Sequence, residues 1–552
     1  MSGLSYYNLG QAPLPLPPDL AFAGAEPDVL AVDFSLEKLI IRDTVVPLNN
    51  FYGRPEDKLT VSRASGGGRV NGAGLYEWST TNHTLRYEHD PLMLDSSATP
   101  VKIDKAGLKS FTTTGAVDYR NASAGWATAT SYGVSERCYN AAGRSYVCLV
   151  AHVSSPATEP GVGAGWRAFW ARAERAIRIS DKADLANYLL GTVDSYADGL
   201  LVINVATISG SGVKSDWHVI EALGVRIEGA RTNLVRGSDQ LTTGWAANAS
   251  PSRTLNAAMA PNGLMDAAEI IATRRNSGYY QNAVVPNGAT VAVSTYIKYV
   301  AGVSPRVRVG TDFDYATFDL ISGAVVSTSG TVLDAFSIQD RDGWRCYVAV
   351  VTNTRGSDQP AAVFFQSATE TYPVTVNAWG VQVEADASAS SYIPTEASAV
   401  TRAADNVRLT AADYTWSDAA GSSYVRFDLP PAMGTGLWYA LSRGPAGRLA
   451  YTVPNPERRV RIYDGTTIVT AGIGGDRENR FAASFGPSGQ CASLDGAPTA
   501  EGAYDGSMGA GDLYFGSLNG SIEHLNSILC SAKIIPGKQL TGTDLQKMSL
   551  AP

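Results

Sequence analysis

The sequence is poor in charge, cysteine and histidine. Only 17% of the 552 residues are charged, five are cysteine, five are histidine, and no Cys-x-x-Cys pair occurs. So few scattered ligands argue against a zinc site. The net charge is −8 and no run of Lys or Arg stands out. Nucleic-acid binders and polybasic membrane contacts need a basic surface, so both classes are disfavoured.

Long apolar runs are missing as well. No stretch approaches the ~20 apolar residues that cross a bilayer, which predicts no membrane insertion. Residues Met1–Tyr7 lack the basic and apolar regions of a secretion signal. We therefore expect a protein that is made in a cytoplasm and leaves it by assembly or lysis.

What the sequence has in quantity is turn formers and aromatic residues. There are 55 Gly, 27 Pro, 26 Tyr and 10 Trp. Runs such as Leu200–Val205 and Val291–Val300 are rich in strand formers and are bounded by turn residues. These features predict an all-β chain of several β-sandwich modules, of jelly-roll or lectin-like type, with a small nested β insertion.

Three phrases carry a first resemblance. VSRASGGGRVNGAGLYEW (61–78) and LRYEHDP (85–91) resemble the opening of a repeat common in phage tail and capsid-surface proteins. In that family an RTNL phrase follows soon after. Here RTNL (231–234) and its preceding strand arrive about 130 residues late. We therefore expect an insertion between Asp95 and Trp217.

The insertion holds two further resemblances. Residues 190–217 are similar to a small β module of phage fibres. Residues 124–171, within that module, resemble the small chitin-binding type of carbohydrate-binding module. The matching residues are Trp126, Tyr132, Tyr139, the Gly143 turn, Tyr146, the His152–Pro156 segment and Trp166. This family usually has an aromatic residue within the segment at 152–155, and here none is present.

Two larger modules complete the chain. Residues 230–405 are similar to a phage lectin-like β-sandwich, on RTNLVRGSDQLTTGW, DGWRC, WGVQVE, SYIPT and VTRAAD. Residues 410–552 resemble a laminin-G or legume-lectin-like sandwich. In the latter, Thr543 and Gln546 have the spacing of a capping box, which predicts a short helix.

These patterns define the predicted organisation. It comprises a Pro-rich attachment arm at 1–29, a β scaffold module at 30–94 plus 218–229, an inserted fibre-type module at 95–123 plus 172–217, a nested carbohydrate-binding-type module at 124–171, a lectin-like sandwich at 230–405, and a laminin-G or legume-lectin-like sandwich at 406–552.

The nested module supplies the candidate binding residues. Sugars stack on aromatic rings and take directed hydrogen bonds. The resulting carbohydrate-binding candidates are Tyr139, Trp166, Trp126, Tyr146 and Trp170. Some of these rings must form core, with Trp126 and Tyr146 the first choices. Alternatively, Trp166, Phe169, Trp170 and Ala173 have the spacing of one buried helix face.

Cysteine and acidic residues leave further alternatives open. Cys138 and Cys148 flank a hairpin turn at Asn140–Gly143, and they could form a disulfide or remain two buried thiols. Asp312 and Asp314 could bind calcium or lie at a strand edge. No other cofactor is expected.

Enzymatic motifs are missing. No G-x-S-x-G, H-E-x-x-H, P-loop or Rossmann fingerprint occurs. A glycosidase needs two carboxylates at a fixed separation, and none of the acidic residues lies in a convincing motif; those considered were Asp312, Asp314, Asp340, Asp342, Glu228 and Glu384. Asp340–Gly343 is more simply a turn. The expectation is a protein without catalysis.

The resemblances together imply a structural protein of a bacteriophage or phage-like virion, of the tail-fibre or spike type, that recognises host surface polysaccharide. Its N-terminal arm would bind other virion proteins, and a homo-oligomer, by default a trimer, is expected. Three alternatives remain: a purely architectural connector, a polysaccharide depolymerase tailspike, and a secreted lectin. Residues Arg231–Asn233 and Thr401–Arg402 are expected to be structural.

Overall fold

The computed structural model confirms the all-β class. It describes residues 30–42, 50–53, 59–73, 75–79, 85–89, 95–97, 101–103, 107–112, 124–132, 137–139, 145–148, 152–160, 170–172, 176–197, 200–429, 437–445, 447–453, 457–475 and 479–550. The predicted attachment arm and Trp166 lie outside these residues. No helix of the described residues is long and apolar enough to cross a membrane.

The strands of residues 30–227 are short at first and lengthen toward the end. They are β1 (Leu30–Asp33), β2 (Lys38–Arg42), β3 (Asn50–Gly53), β4 (Thr60–Ser62), β5 (Gly67–Val70), β6 (Tyr76–Ser79), β7 (Tyr87–His89), β8 (Asp95–Ser97), β9 (Val101–Ile103), β10 (Gly107–Thr112), β11 (Ala124–Gly125), β12 (Ser131–Tyr132), β13 (Arg137–Tyr139), β14 (Ser145–Cys148), β15 (His152–Val153), β16 (Trp170–Arg172), β17 (Ala176–Asp181), β18 (Tyr188–Ala197), β19 (Leu200–Ser209), β20 (Gly212–Lys214) and β21 (Trp217–Ile227).

The remaining residues form longer strands and one helix. They are β22 (Arg231–Asn233), β23 (Ala246–Asn248), β24 (Ser252–Ala258), β25 (Ala267–Ala272), β26 (Ser277–Val285), β27 (Thr290–Ala301), β28 (Pro305–Thr311), β29 (Tyr315–Asp319), β30 (Val325–Ser329), β31 (Val332–Gln339), β32 (Trp344–Thr352), β33 (Gln359–Ser367), β34 (Val374–Glu384), β35 (Val400–Arg402), β36 (Asn406–Leu409), β37 (Gly421–Phe427), β38 (Trp438–Arg443), β39 (Gly447–Thr452), β40 (Arg459–Tyr463), β41 (Ile468–Ile473), β42 (Asn479–Gly486), β43 (Gly489–Leu494), β44 (Ala500–Gly502), β45 (Leu513–Phe515), β46 (Ser527–Pro536) and α1 (Gly542–Leu550).

The middle sandwich, residues 230–405, consists of two six-stranded antiparallel sheets. Their strand orders are β23-β26-β33-β28-β29-β30 and β24-β25-β34-β27-β32-β31. Valine-rich strands pack between the sheets; Val293, Val309 and Val363 are fully buried there. Burial of each such side chain stabilises the fold by about 1.5–3 kcal/mol.

The terminal sandwich draws its strands from distant parts of the chain. β46 pairs with β37, β21 and the early strand β1, and β36 pairs with β4. Leu30, Val225, Val407 and Leu529 share one core. The described residues of 30–89, the second half of β21 and the described residues of 406–550 therefore form one sandwich. This replaces the separate scaffold module that the sequence analysis placed at 30–94 plus 218–229.

The inserted module shares strand β21 with the terminal sandwich. The first half of β21 pairs with β17, which continues through β18 and β19 to β10. A register shift between Ala222 and Gly224 separates the two halves of β21. At Gly224, a Cβ atom would lie 2.3 Å from the Leu529 carbonyl oxygen. Trp217, at the start of the strand, is fully buried in the module's own core.

Helix α1 covers the outer face of the terminal sandwich. Its residues Leu545 and Met548 pack against Tyr424 and Ala482. The Thr541 hydroxyl lies 2.7 Å from the Asp544 carboxylate and accepts the Asp544 N–H. The predicted helix is thus confirmed, but its cap lies two residues before the predicted Thr543 because the acidic partner is Asp544.

A buried set of charges joins the terminal and middle sandwiches. We call Arg63, Arg86, Glu228, Arg402 and Asp405 the junction network; all five are at most 5% exposed. Glu228, next after β21, accepts hydrogen bonds from Arg86 at 2.8 Å and from Arg402. Asp405 accepts from Arg63 at 2.9 Å, from Arg86, and from the Glu228 N–H at 2.8 Å.

Neighbouring polar groups complete the junction network. Ser391 donates its N–H and its hydroxyl to Glu228, at 2.7 and 2.8 Å. His524 Nε2 donates to the Asp405 carbonyl at 2.9 Å. Although burial opposes ionisation, the arginines hold the pKa of Glu228 well below its usual range and lower that of Asp405.

The glycine triplet at 66–68 makes room for this arrangement. A Cβ atom on Gly67 would lie 2.8 Å from the Arg86 Cδ atom, and one on Gly68 would lie 2.0 Å from the Tyr76 hydroxyl. Tyr76 in turn donates to the Tyr392 carbonyl and packs on Trp379, with ring centroids 5.7 Å apart. The β5–β6 hairpin therefore packs against the middle sandwich through Tyr76.

The segments on either side of the junction network are structural, as the sequence analysis expected. β22 pairs with β35, and the Thr232 and Thr401 hydroxyls lie 2.8 Å apart. Arg231 pairs with Asp386 at 3.0 Å. Arg231 thus ties β22 to the loop after β34, and Arg402 ties β35 to the residue that follows β21.

Glu228→Gln should lower the free energy of unfolding by about 3–5 kcal/mol, because it leaves Arg402 buried without its counter-charge and leaves Arg86 with Asp405 alone. The urea midpoint of the purified variant measures this loss. Glu370→Gln is the matched control, since that carboxylate is exposed and lies 3.7 Å from exposed Arg275; it should cost less than about 1 kcal/mol. Equal midpoints for the two variants would contradict the assignment.

Stability should fall as the pH falls from about 6.5. Burial lowers the pKa of His524 to about 4, so in that window the unfolded chain binds a proton that the folded chain does not. Glu228 and Asp405 add a second loss below about pH 4, since their folded pKa values lie below the unfolded ones.

His524→Asn keeps a donor for the Asp405 carbonyl and removes the titration. In thermal melts at pH 7, 6, 5 and 4, the melting temperature should therefore fall less for the variant than for the wild type as the pH approaches 4. A gap that is constant with pH would refute this role for His524.

Candidate functional site

The described residues of the predicted binding module at 124–171 form a small β unit between β10 and β17. β13 and β14 form an antiparallel hairpin, β16 pairs with β14, and β11 runs parallel to β13. β12 and β15 form a second pair. The two strands lie on either side of the turn predicted at Asn140–Gly143, but the turn itself lies outside the described residues and stays a prediction.

A compact aromatic cluster forms the core of this unit. Tyr132, Cys138 and Tyr146 are buried, and Trp126 packs against them half-buried. Cys138 and Tyr146 are directly opposite each other in the hairpin, so their side chains share one face. The interpretation of Trp126 and Tyr146 as core residues agrees with this packing. The Trp126 indole N–H finds no acceptor among the described residues.

Polar contacts fix the loop beside the cluster. The Tyr132 hydroxyl accepts the Ala127 N–H at 2.9 Å, and Ser154 Oγ accepts the Thr130 N–H at 3.0 Å. Ser154 also donates to the Ala127 carbonyl. Ser154 was not predicted as a support, because a serine in a loop carries no distinguishing sequence pattern.

The register places the other candidates by their backbone positions. Position 139 follows buried Cys138, so strand alternation puts it on the opposite face of the sheet. Position 170 pairs with position 148 and thus shares the face of Tyr146. Trp170 lies in strand β16, so a helix through this position is wrong. The side chains of Tyr139 and Trp170, and the whole of Trp166, lie outside what the structure describes.

The segment that lacks the family's aromatic residue borders the cluster. The His152 ring lies 6.1 Å from the Tyr132 ring, between centroids. Val153 is 64% exposed. The exposed apolar surface at this point is therefore that of a valine, which offers no ring for a sugar to stack on.

The two cysteines of the hairpin are offset. Cys138 is opposite Tyr146, and position 148 lies two residues farther along β14 on the same face. The Cys148 side chain lies outside the described residues, so the Cys138–Cys148 disulfide stays a prediction.

The acidic candidates make structural contacts. Asp314 is fully buried and accepts the Thr331 N–H at 2.8 Å and Arg355 at 3.4 Å. Burial raises the pKa of Asp312. Among the described residues no group of three potential metal ligands occurs. Calcium binding at Asp312 and Asp314 stays a prediction.

Two further carboxylates are tied into the fold. Asp340 begins the turn at Arg341–Gly343 by accepting the Arg341 N–H at 2.6 Å, which confirms the predicted turn. Buried Glu384 accepts the Ser390 N–H at 2.8 Å and Gln382 at 2.9 Å. Burial raises the pKa of Glu384. Both carboxylates hold loops in place.

The fold and site together define a chain of β-sandwiches with a small aromatic β insertion. No family model and no curated protein matches it. Solved structures similar to it include a tandem of CBM22 domains from Paenibacillus barcinonensis Xyn10C, at 12% identity and TM-score 0.20, covering 58% of this chain and 100% of that one. Trypanosoma rangeli sialidase is 10% identical, with TM-score 0.22, covering 89% and 98%. Scores this low carry no argument about fold or ligand.

Tyr132→Phe should loosen the 127–132 loop, because the Ala127 N–H loses its acceptor, at a cost of about 1–3 kcal/mol. Amide hydrogen exchange followed by mass spectrometry should show faster exchange in the peptide that contains Ala127. Exchange in β17, which belongs to a separate core, should be unchanged and is the internal control. Unaltered exchange at 127 would show that the hydroxyl contributes nothing to the loop.

Proposed function

We propose that this chain is a virion structural protein of a bacteriophage or phage-like particle. In this proposal it is of the tail-fibre or spike type and attaches the particle to host surface polysaccharide without catalysis. The N-terminal arm at 1–29 binds other virion proteins, and the assembled form is a homo-oligomer, by default a trimer. The 124–171 unit provides the sugar-binding surface.

The observation that carries the proposal is the division of the 124–171 unit into two faces. One face holds the buried cluster of Cys138 and Tyr146, and position 139 lies on the other. A tyrosine on the face away from the core can stack on a sugar ring. The unit is also an insertion within an insertion, and such surface additions are tolerated where they project from a scaffold.

The phage-like phrases support the scaffold part of the proposal. They contribute Arg63, Arg86, Arg402 and Asp405 to the junction network, together with Glu228 just before RTNL. These residues carry the resemblance to one family, and they also meet at one buried site. Such a meeting is expected if the fold is shared with that family, and it is not expected from chance similarity.

Tyr139→Ala and Trp166→Ala should each abolish saturable binding of the purified protein to host cells and to their extracted surface polysaccharide. Each ring that stacks on a sugar contributes a large part of the affinity of such a site. Biolayer interferometry on the immobilised polysaccharide measures the dissociation constants.

Phe313→Ala is the matched control, since Phe313 is an aromatic residue that is 52% exposed on a different sandwich. It should bind like the wild type. Release of reducing ends would instead favour a depolymerase. No binding by wild type at high concentration would favour the architectural alternative.

A further inference from the structure

The outer face of the β38–β41 sheet carries a second set of aromatic and cationic side chains; it belongs to the sheet of the terminal sandwich that helix α1 does not cover. Across β38, β39, β40 and β41, the cross-strand pairs are Tyr439 with Tyr451, Tyr451 with Arg461, and Arg461 with Thr470. A second row pairs Arg448 with Tyr463, and Tyr463 with Ile468. The opposite face of the same strands packs into the core through Trp438, Val460 and Ile462.

Arg448 is held among three tyrosine rings. Its guanidinium carbon lies 5.7 Å from the ring centroids of Tyr439 and Tyr451 and 4.9 Å from that of Tyr463. Tyr439 and Tyr451 are buried and stacked, with centroids 5.5 Å apart, so they form a rigid floor. Cation–π contacts orient the guanidinium but do not neutralise its charge.

No described residue neutralises Arg448. The structure gives it no ion pair and no hydrogen bond among the described residues, and its Nε–H is buried without an acceptor. On the same side of the sheet, Glu457 lies 3.6 Å from Arg459 and 3.7 Å from Arg461, and no ion pair joins it to Arg448. Burial, and to a smaller extent the Glu523 carboxylate, raises the pKa of Tyr439.

Arg461 extends the cationic surface beside Arg448. Its Nε–H donates to the Thr470 hydroxyl at 3.1 Å, which fixes the guanidinium plane. Its side chain is only 17% exposed. Arg459, two residues earlier on the same strand and face, is 48% exposed. Arg448, Arg459 and Arg461 therefore lie on the same face of the sheet as Tyr463. Among the described residues, Glu457 is the carboxylate in contact with two of these arginines.

We propose that this face binds an acidic polysaccharide, with the Arg448 guanidinium pairing with a sugar carboxylate and Tyr463 stacking on the ring. The proposal rests on the polysaccharide-binding function above and names a second site and its ligand class. Guanidinium matches a carboxylate with two parallel hydrogen bonds. Partial burial beside the tyrosine floor strengthens the pairing, because fewer water molecules compete for it.

The net charge of the chain favours a local site over general attraction. At −8 the whole protein repels an acidic polymer, so binding requires a cationic surface that acts at short range. At physiological ionic strength charges are screened within about 8 Å. Repulsion between a bound polymer and acidic residues farther away than this is therefore weak. The short-range contact between Arg448 and a bound carboxylate is retained.

The test uses the full chain and three immobilised probes: alginate, carboxyl-reduced alginate and dextran sulfate. Wild type should bind alginate saturably and should lose this binding on the carboxyl-reduced polymer. Arg448→Gln should weaken alginate binding about 10- to 100-fold, the range expected when one charge-assisted pair is lost. Arg275→Gln, at an exposed arginine of the middle sandwich, is the matched control and should bind like the wild type.

The outcomes separate this site from the one at 124–171. Arg448→Gln should keep its thermal midpoint and should still bind host polysaccharide through Tyr139 and Trp166. Alginate binding that survives Arg448→Gln overturns the inference, and so does the lack of any alginate binding by wild type. Dextran sulfate bound as tightly as alginate would overturn it too, since that indicates a general polyanion surface. Loss of host polysaccharide binding in Tyr139→Ala alone leaves this inference untouched.

Discussion

The junction network is the constraint on which the arrangement of the sandwiches depends. Two carboxylates, Glu228 and Asp405, are buried among three guanidinium groups that come from separate parts of the chain. Buried ion pairs contribute little net stability, because desolvation offsets their attraction. Their effect is on the specificity of the fold, because displacing one of these side chains leaves a buried charge without its partner. The entry and exit of the middle sandwich are therefore held in one geometry.

The class of fold could be predicted from the sequence, whereas the boundaries could not. Strand-forming runs and turn residues predict strands, and β19 and β27 lie where the runs at 200–205 and 291–300 indicated. The pairing of β1 with β46 joins residues about 500 positions apart. No local pattern encodes such a partner, since both strands read only as short apolar runs. The sequence analysis therefore divided one sandwich into two modules.

The candidate site illustrates the same limit at the scale of side chains. Six tryptophan and tyrosine residues from 126 to 170 predicted an aromatic unit, but which rings are core depends on the register of β13 and β14. That register sets Tyr146 against Cys138 and turns position 139 away. The Arg448 surface was missed for a related reason. The period-two pattern of Arg459, Arg461 and Tyr463 indicates one strand face, but Arg448 and Tyr439 join it only through pairing.

The two proposed binding surfaces, on the 124–171 unit and on the terminal sandwich, would suit a displayed oligomer. A single aromatic or arginine site on a polysaccharide is weak, because few contacts form per sugar. A polymer repeats its sugars, so a second contact on the same chain becomes intramolecular and its effective concentration rises to the millimolar range. If three copies assemble, six sites face one polymer surface, and avidity can exceed single-site affinity by about 10²–10⁴. Rigid junctions then matter for function, since sites that cannot engage together add nothing.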